Sequence, residues 1–145
     1  MSDVTKFSGL HLFLLTVSGE SVVLVRDDDH LLRRFGQVEI RKIPAKSSSD
    51  FVLRAVADEI WTTIIGSLEF ILVDRRQGST SENQALKITL QADNMQGLLI
   101  PFGVAYSIHA EEDSQALRLT THTDGTHTED RTLPREALSD LTSNL

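Results

Sequence analysis

Glu59 and Trp61 lie two residues apart in the run Glu59-Ile60-Trp61-Thr62-Thr63, so in an extended chain both share one face with Thr63. A carboxylate beside the only tryptophan, with arginines on neighbouring strands, suits a polar ligand, because the ring can stack on a base or sugar. The enzymatic role open to this set is a Glu59 general base, raised in pKa by burial beside Trp61, acting on a sugar or keto acid held by Arg54 and Arg118. Core packing is the alternative for Trp61. Other chemistry-bearing types are less well arranged. His122 and His127 bracket Asp124-Gly125, and because Asp-Gly makes tight turns the stretch reads as a solvated hairpin rather than a metal clip. His109, three residues after Tyr106, falls on the opposite strand face and outside. Asp27-Asp28-Asp29 and Arg33-Arg34 read as solvated charge. Ser79, Thr80 and Ser81 supply hydroxyls, but the chain has no hydrolase elbow, no Ser-x-x-Lys and no phosphate-cradling glycine loop. Asp58-Glu59 has no nearby histidine, so no metal is expected.

The elements that must position these residues are short, β-branched and bounded by turn residues, the pattern of an all-β chain. Strands are expected at Leu10–Val17, Ser21–Arg26, Gly36–Ile43, Phe51–Val56, Ile60–Ile65, Leu68–Asp74, Ala85–Gln91, Gly97–Ile100, Val104–Ala110 and Gln115–Thr121. Lys46–Asp50 and Arg75–Gln84 read as polar surface loops. Pro134, with Leu138 and Leu141 at helical spacing, predicts one short C-terminal helix. With 145 residues, 21 acidic against 14 basic side chains, a net charge of −7 and no cysteine, the chain reads as one domain without disulfides or Cys-type metal sites. The acidic balance excludes a nucleic-acid module. Leu10–Val17 is broken by His11 and Thr16 and falls short of the ~20 residues that span a bilayer. With no positive segment ahead of it, it reads as a strand rather than a leader. No membrane association and a cytoplasmic home are expected.

Ten short strands leave sandwich, barrel and jelly roll open. The run Val73-Asp74-Arg75-Arg76-Gln77-Gly78-Ser79-Thr80, followed by Asn94 and by Leu99-Ile100-Pro101-Phe102-Gly103-Val104-Ala105-Tyr106, resembles the double-stranded β-helix (cupin) family of dTDP-4-dehydrorhamnose 3,5-epimerases. The likeness covers residues 10 to 121, with Gly36-Gln37-Val38 and Val52-Leu53-Arg54 resembling the family's approach to its Leu-Arg-Gly-x-His element. It implies an all-β jelly-roll barrel as a single domain over 1–145, with the C-terminal tail and helix at 132–145. In that family a histidine removes the proton beside the sugar's keto group, a cation stabilises the enolate and a tyrosine reprotonates the ring. Matched onto this chain, Ala57 stands at the base, Glu59 replaces the lysine and Arg118 aligns with the tyrosine. Arg76 and Tyr106 occupy the turn and barrel-mouth places, and Arg54 matches the arginine that holds the diphosphate.

The resemblance therefore implies a diverged member that binds a nucleotide sugar or similar anion through Arg54, Trp61, Arg76, Tyr106 and Arg118. Glu59 would then perform an altered isomerase step, or no chemistry would remain. Neither metal nor cofactor is expected, and a homodimer is, because open sheet edges want partners. The alternative is a non-catalytic interaction or sensor module with a packed barrel.

Overall fold

Among the residues described by the computed structural model, 4–145, the chain forms thirteen short strands and one four-residue α-helix. They are β1 (His11–Leu14), β2 (Thr16–Ser18), β3 (Ser21–Val23), β4 (Gln37–Ile43), β5 (Ser47–Ser48), β6 (Phe51–Leu53), β7 (Glu59–Ile65), β8 (Ser67–Asp74), β9 (Ala85–Gln91), β10 (Gln96–Ile100), β11 (Val104–Ala110), β12 (Ser114–Thr120), β13 (Arg131–Leu133) and α1 (Ser139–Thr142). One sheet runs β1-β10-β7-β12-β4 and the other β13-β6-β11-β8-β9, with β5 added beside β11 and β2-β3 as a separate ribbon. The chain crosses repeatedly from sheet to sheet, and the fold is a cupin jelly roll, which solves the edge problem of short strands by stacking two sheets.

Period-2 alternation decides what faces inward. In β9 the buried residues are Leu86, Ile88 and Leu90, and in β12 they are Ser114, Ala116, Arg118 and Thr120. The main core gathers Trp61, Leu98, Ile100 and Ala116 from one sheet against Leu68, Phe70, Leu72, Tyr106 and Ile108 from the other. Trp61, Phe70 and Tyr106 meet edge to face, with centroids 5.6 to 6.4 Å apart, the geometry that ring quadrupoles favour. A second cluster lies on the outer face of the six-stranded sheet, where Leu138 and Leu141 of the tail cover Phe51, Leu53, Val73 and Ala105.

Several expectations shift. Leu10–Val17 is two strands, because Leu15 donates its amide to Met95 and the chain then leaves the sheet as the exposed β2-β3 ribbon. The Lys46–Asp50 loop contains β5, which pairs Ser48 with His109. The C-terminal helix is a 3-10 turn over Arg135–Leu138 running into α1. The stretch around Asp124-Gly125 is no hairpin: β12 pairs with β4 and β7, whereas β13 pairs with β6 in the other sheet. Residues 121–130 therefore form a crossover strap over one end of the jelly roll. Gly36 lets β4 begin against this strap, since a Cβ there would fall 2.5 Å from the His122 backbone. None of the described helices is long and apolar enough to cross a membrane.

Candidate anion site in the barrel

Register builds the site. Arg118 of β12 lies between Glu39 of β4 and Trp61 of β7, so these three form an inward-facing row across the five-stranded sheet. Glu59, two residues before Trp61, faces the same way, and Tyr106 reaches it from β11 on the opposite sheet. Arg54 arrives from the segment following β6. The side chains converge on the carboxylate of Glu59, whose side chain is 2% exposed. Its Oε1 accepts from Tyr106 Oη (2.7 Å), Trp61 Nε1 (2.9 Å) and Arg118 Nε (3.0 Å), and its Oε2 accepts from Arg54 Nη1 (2.6 Å) and Arg118 Nη2 (2.8 Å).

The two arginines continue outward. Arg118 Nη1 donates to Glu39 (2.7 Å) and forks with Nη2 onto Asp124 (2.8 and 3.0 Å). Arg54 Nη1 also reaches Asp124 (3.0 Å), while Arg54 Nε and the Ala55 amide donate to Asp130 (3.0 and 2.8 Å). Arg54 Nη2 is buried and has no hydrogen-bond partner among the described residues, a donor left open inside the protein.

These contacts fix the protonation states. Burial alone would raise the Glu59 carboxyl, but hydrogen bonds and charge from Arg118, with Tyr106 and Arg54, outweigh it and hold the group below its ordinary range. This reverses the direction expected for a Glu59 general base, since burial beside Trp61 is overruled by two guanidiniums. The Tyr106 phenol is pushed well up, first by burial and then by the Glu59 charge, so it is a neutral donor. Burial works against the charge of Arg118, yet hydrogen bonds to Glu59 and Asp124 raise its pKa. Asp124 is lowered to about 2, foremost by its hydrogen bonds from Arg118.

Beside the cluster a cavity of about 270 Å³ opens between β4, β5 and the sheet interior, with Trp61 and Tyr106 as its inner wall and Arg41, Lys42 and Ser47 to Ser49 at its rim. Arg41 and Arg118 both lie 5.8 Å from the Trp61 ring centroid, cations placed over the ring as its quadrupole favours.

The structure thus brings Arg54, Glu59, Trp61, Tyr106 and Arg118 together and leaves Arg76 apart. Arg76 donates to Asp74 through its amide, Nε and Nη2, and to the Ser8 carbonyl through Nη1. Its stem packs under Gly103, where a Cβ would fall 2.4 Å from Arg76 Cγ. Arg76 is a turn clamp, a correction to its expected ligand role that follows from its proximity to a fully buried carboxylate. His109 lies on the outer side, bonded to Ser48 and Glu111. Ala57 is buried. No group of His, Asp and Glu side chains among the described residues is arranged to hold a metal ion. Sequence reasoning missed Asp124, Asp130, Glu39 and Arg41. The inward alternation of β4 signals Glu39 and Arg41, whereas nothing local points the strap's carboxylates at Arg54, 70 and 76 residues earlier.

The sequence matches no family model. It is 34% identical over 83 residues to the spore coat polysaccharide biosynthesis protein SpsL of Bacillus subtilis, a match covering 57% of this chain and 55% of that protein. The match thus spans about half the length of this curated relative. Among solved structures, a dTDP sugar isomerase from Desulfovibrio desulfuricans superposes with a TM-score of 0.82 at 19% identity, covering 91% of this chain and 88% of that one. A dTDP-6-deoxy-D-glucose-3,5-epimerase from Legionella pneumophila, solved with dTDP-4-keto-L-rhamnose, gives 0.77 at 17%, covering 91% and 76%. The fold is that of the dTDP-4-dehydrorhamnose 3,5-epimerases. The charged cluster lies inside a barrel of that fold.

Proposed function

We propose that the chain binds a nucleotide sugar or a similar anionic sugar in the barrel, with the epimerase proton transfer altered or lost. The observation that carries this reading is the Glu59 carboxylate, saturated by five donors from Arg54, Trp61, Tyr106 and Arg118. A carboxylate with every lone pair engaged and a lowered pKa is a poor proton acceptor, but it fixes two guanidiniums and an aromatic pair beside a cavity. At about 270 Å³ that cavity sits near the lower end of ligand pockets, ~300–1,000 Å³, and suits one sugar ring with the remainder of the ligand outside. The epimerases solved with dTDP-4-keto-L-rhamnose and dTDP-quinovose support the ligand class. The test is a titration with dTDP-4-keto-6-deoxyglucose that follows Trp61, the only indole. A saturable change in emission is expected, and flat emission at millimolar ligand would remove the proposal.

A homodimer is part of this reading. Val38 and Ile40 of β4 are 52% and 60% exposed, and their cross-strand neighbours Leu119 and Leu117 stand beside them on the outer face of the five-stranded sheet. Unlike the other sheet, this face has no tail over it among the described residues, and apolar faces of this kind mark interfaces. Ile40→Glu is expected to convert a dimer to a monomer in sedimentation velocity. A wild-type monomer at high micromolar concentration removes the dimer and leaves the ligand reading in place.

A further inference from the structure

Asp124 is an anion held on two arginines. Its carboxylate takes three charge-assisted hydrogen bonds from two buried guanidiniums, including a fork from Arg118, the arrangement by which arginine grips a phosphate. Its side chain is nevertheless 42% exposed, whereas the other anion on the same arginines, Glu59, is 2% exposed. The strap that carries it is tied at its ends, by the Thr121 amide to the Asp58 carbonyl and by Asp130 to Arg54 and Ala55. Between them no residue from His122 to Glu129 is buried. Polar contacts hold the tip: Asp124 exchanges two hydrogen bonds with Gln37, and Thr123 donates to the Gly36 carbonyl. Without buried apolar contacts, such a segment is held by those polar bonds alone, and the ones to the arginines are of the kind an incoming anion can replace. Meanwhile the buried Arg54 Nη2 lacks an acceptor, so Asp124 fills the site incompletely.

We propose that Asp124 is an internal competitor, and that a phosphate-bearing ligand binds Arg54 and Arg118 by displacing it and swinging the 122–129 strap outward. The inference rests on the reading of the barrel as an anion site and adds to it the carboxylate that occupies the site and the strap that gates it. The cluster's charges require the displacement. With Arg41 also paired to Glu39, three arginines already face the four carboxylates Glu59, Asp124, Asp130 and Glu39, so a further anion added without removing one would meet net repulsion. A self-occupied site also lowers apparent affinity by the fraction of molecules that are open, so a closed-to-open ratio of about ten gives a gain of about tenfold when the competitor is removed.

The test uses inorganic pyrophosphate on the full chain. Asp124→Asn is expected to bind it about tenfold more tightly than the wild type, read from Trp61 emission, by the same arithmetic. In the wild type, pyrophosphate is expected to speed amide exchange across 122–129, the opposite of the protection that a ligand gives a segment it covers. Equal or weaker binding by Asp124→Asn, no binding by either protein, or slowed or unchanged exchange across the strap overturns the proposal. Should Asp124→Asn fail to fold, the wild-type exchange experiment decides alone. A chain that binds the sugar nucleotide without releasing the strap keeps the proposed function and loses this inference; strap release by pyrophosphate with no response to the sugar nucleotide does the reverse.

Discussion

Asp74 and Glu59 are both buried carboxylates that accept five hydrogen bonds, and they differ in where the donors come from. Those on Asp74 are the amide, Nε and Nη2 of Arg76 and the hydroxyls of Ser79 and Ser81, all within seven residues. Arg76 has one further hydrogen bond among the described residues, to the Ser8 carbonyl, and the unit is closed. Those on Glu59 come from both sheets and from sequence separations of up to 59 residues, and its arginines extend outward to Asp124, Asp130 and Glu39. Both carboxyls are lowered against the effect of burial, Asp74 mainly by Arg76 and the serines, Glu59 by Arg118, Tyr106 and Arg54. The same saturation therefore serves two ends. Donors consumed locally make a turn, and donors that also reach the surface make a place where one anion can exchange for another.

The largest expected difference follows from breaking each unit. Glu59→Gln leaves two buried guanidiniums short of a counter-charge and is expected to cost about 3–5 kcal/mol. Asp74→Asn, whose arginine is partly exposed, is expected to cost about 2–3 kcal/mol. Chemical denaturation measures both, and a larger loss for Asp74→Asn would contradict the difference between the two units. Their coupling differs too. Glu59→Gln combined with Arg118→Gln is expected to fall short of the sum by about 0.5–3 kcal/mol, whereas Glu59→Gln with Arg76→Gln adds within about 0.5 kcal/mol.

Much of this division was legible in the sequence. Val73-Asp74-Arg75-Arg76 and Pro101-Phe102-Gly103 carry the family resemblance that implies the jelly roll, and the alternation of β7 places Glu59 and Trp61 on one face. Two strands, β9 and β11, carry the boundaries that pattern alone assigns. Arg76 was misread because spacing within a turn does not tell which side of the barrel a long side chain takes. The sign of the Glu59 shift was misread because the arginines beside it come from other strands. The role of Asp124 was hidden for a stronger reason: Asp-Gly is a turn signal wherever it occurs, and only the crossover of the strap from β12 to β13 aims it at Arg54 and Arg118.

Acid gives a smaller effect. Asp124 titrates at about 2 in the folded chain against 3.8 for the free side chain, so the unfolded chain binds more protons in that window. Its contribution is present above about pH 4 and is lost as pH falls towards 2. Asp124→Asn is expected to flatten the decline in thermal midpoint over that window, while a decline as steep as in the wild type would assign it to other carboxyls. The smallest effect belongs to the exposed Lys46–Glu111 pair: Glu111→Gln is expected to leave the thermal midpoint unchanged within error, because exposed ion pairs contribute little.

The proposed role of Glu59 is to hold its arginines and not to move protons. Proton NMR in deuterated water with dTDP-4-keto-6-deoxyglucose tests it most directly. The predicted result is broadening of the sugar-nucleotide lines on adding the protein, with the ring protons at positions 3 and 5 keeping their full intensity. Loss of those two signals with the wild type, and their recovery with Glu59→Gln, would contradict it.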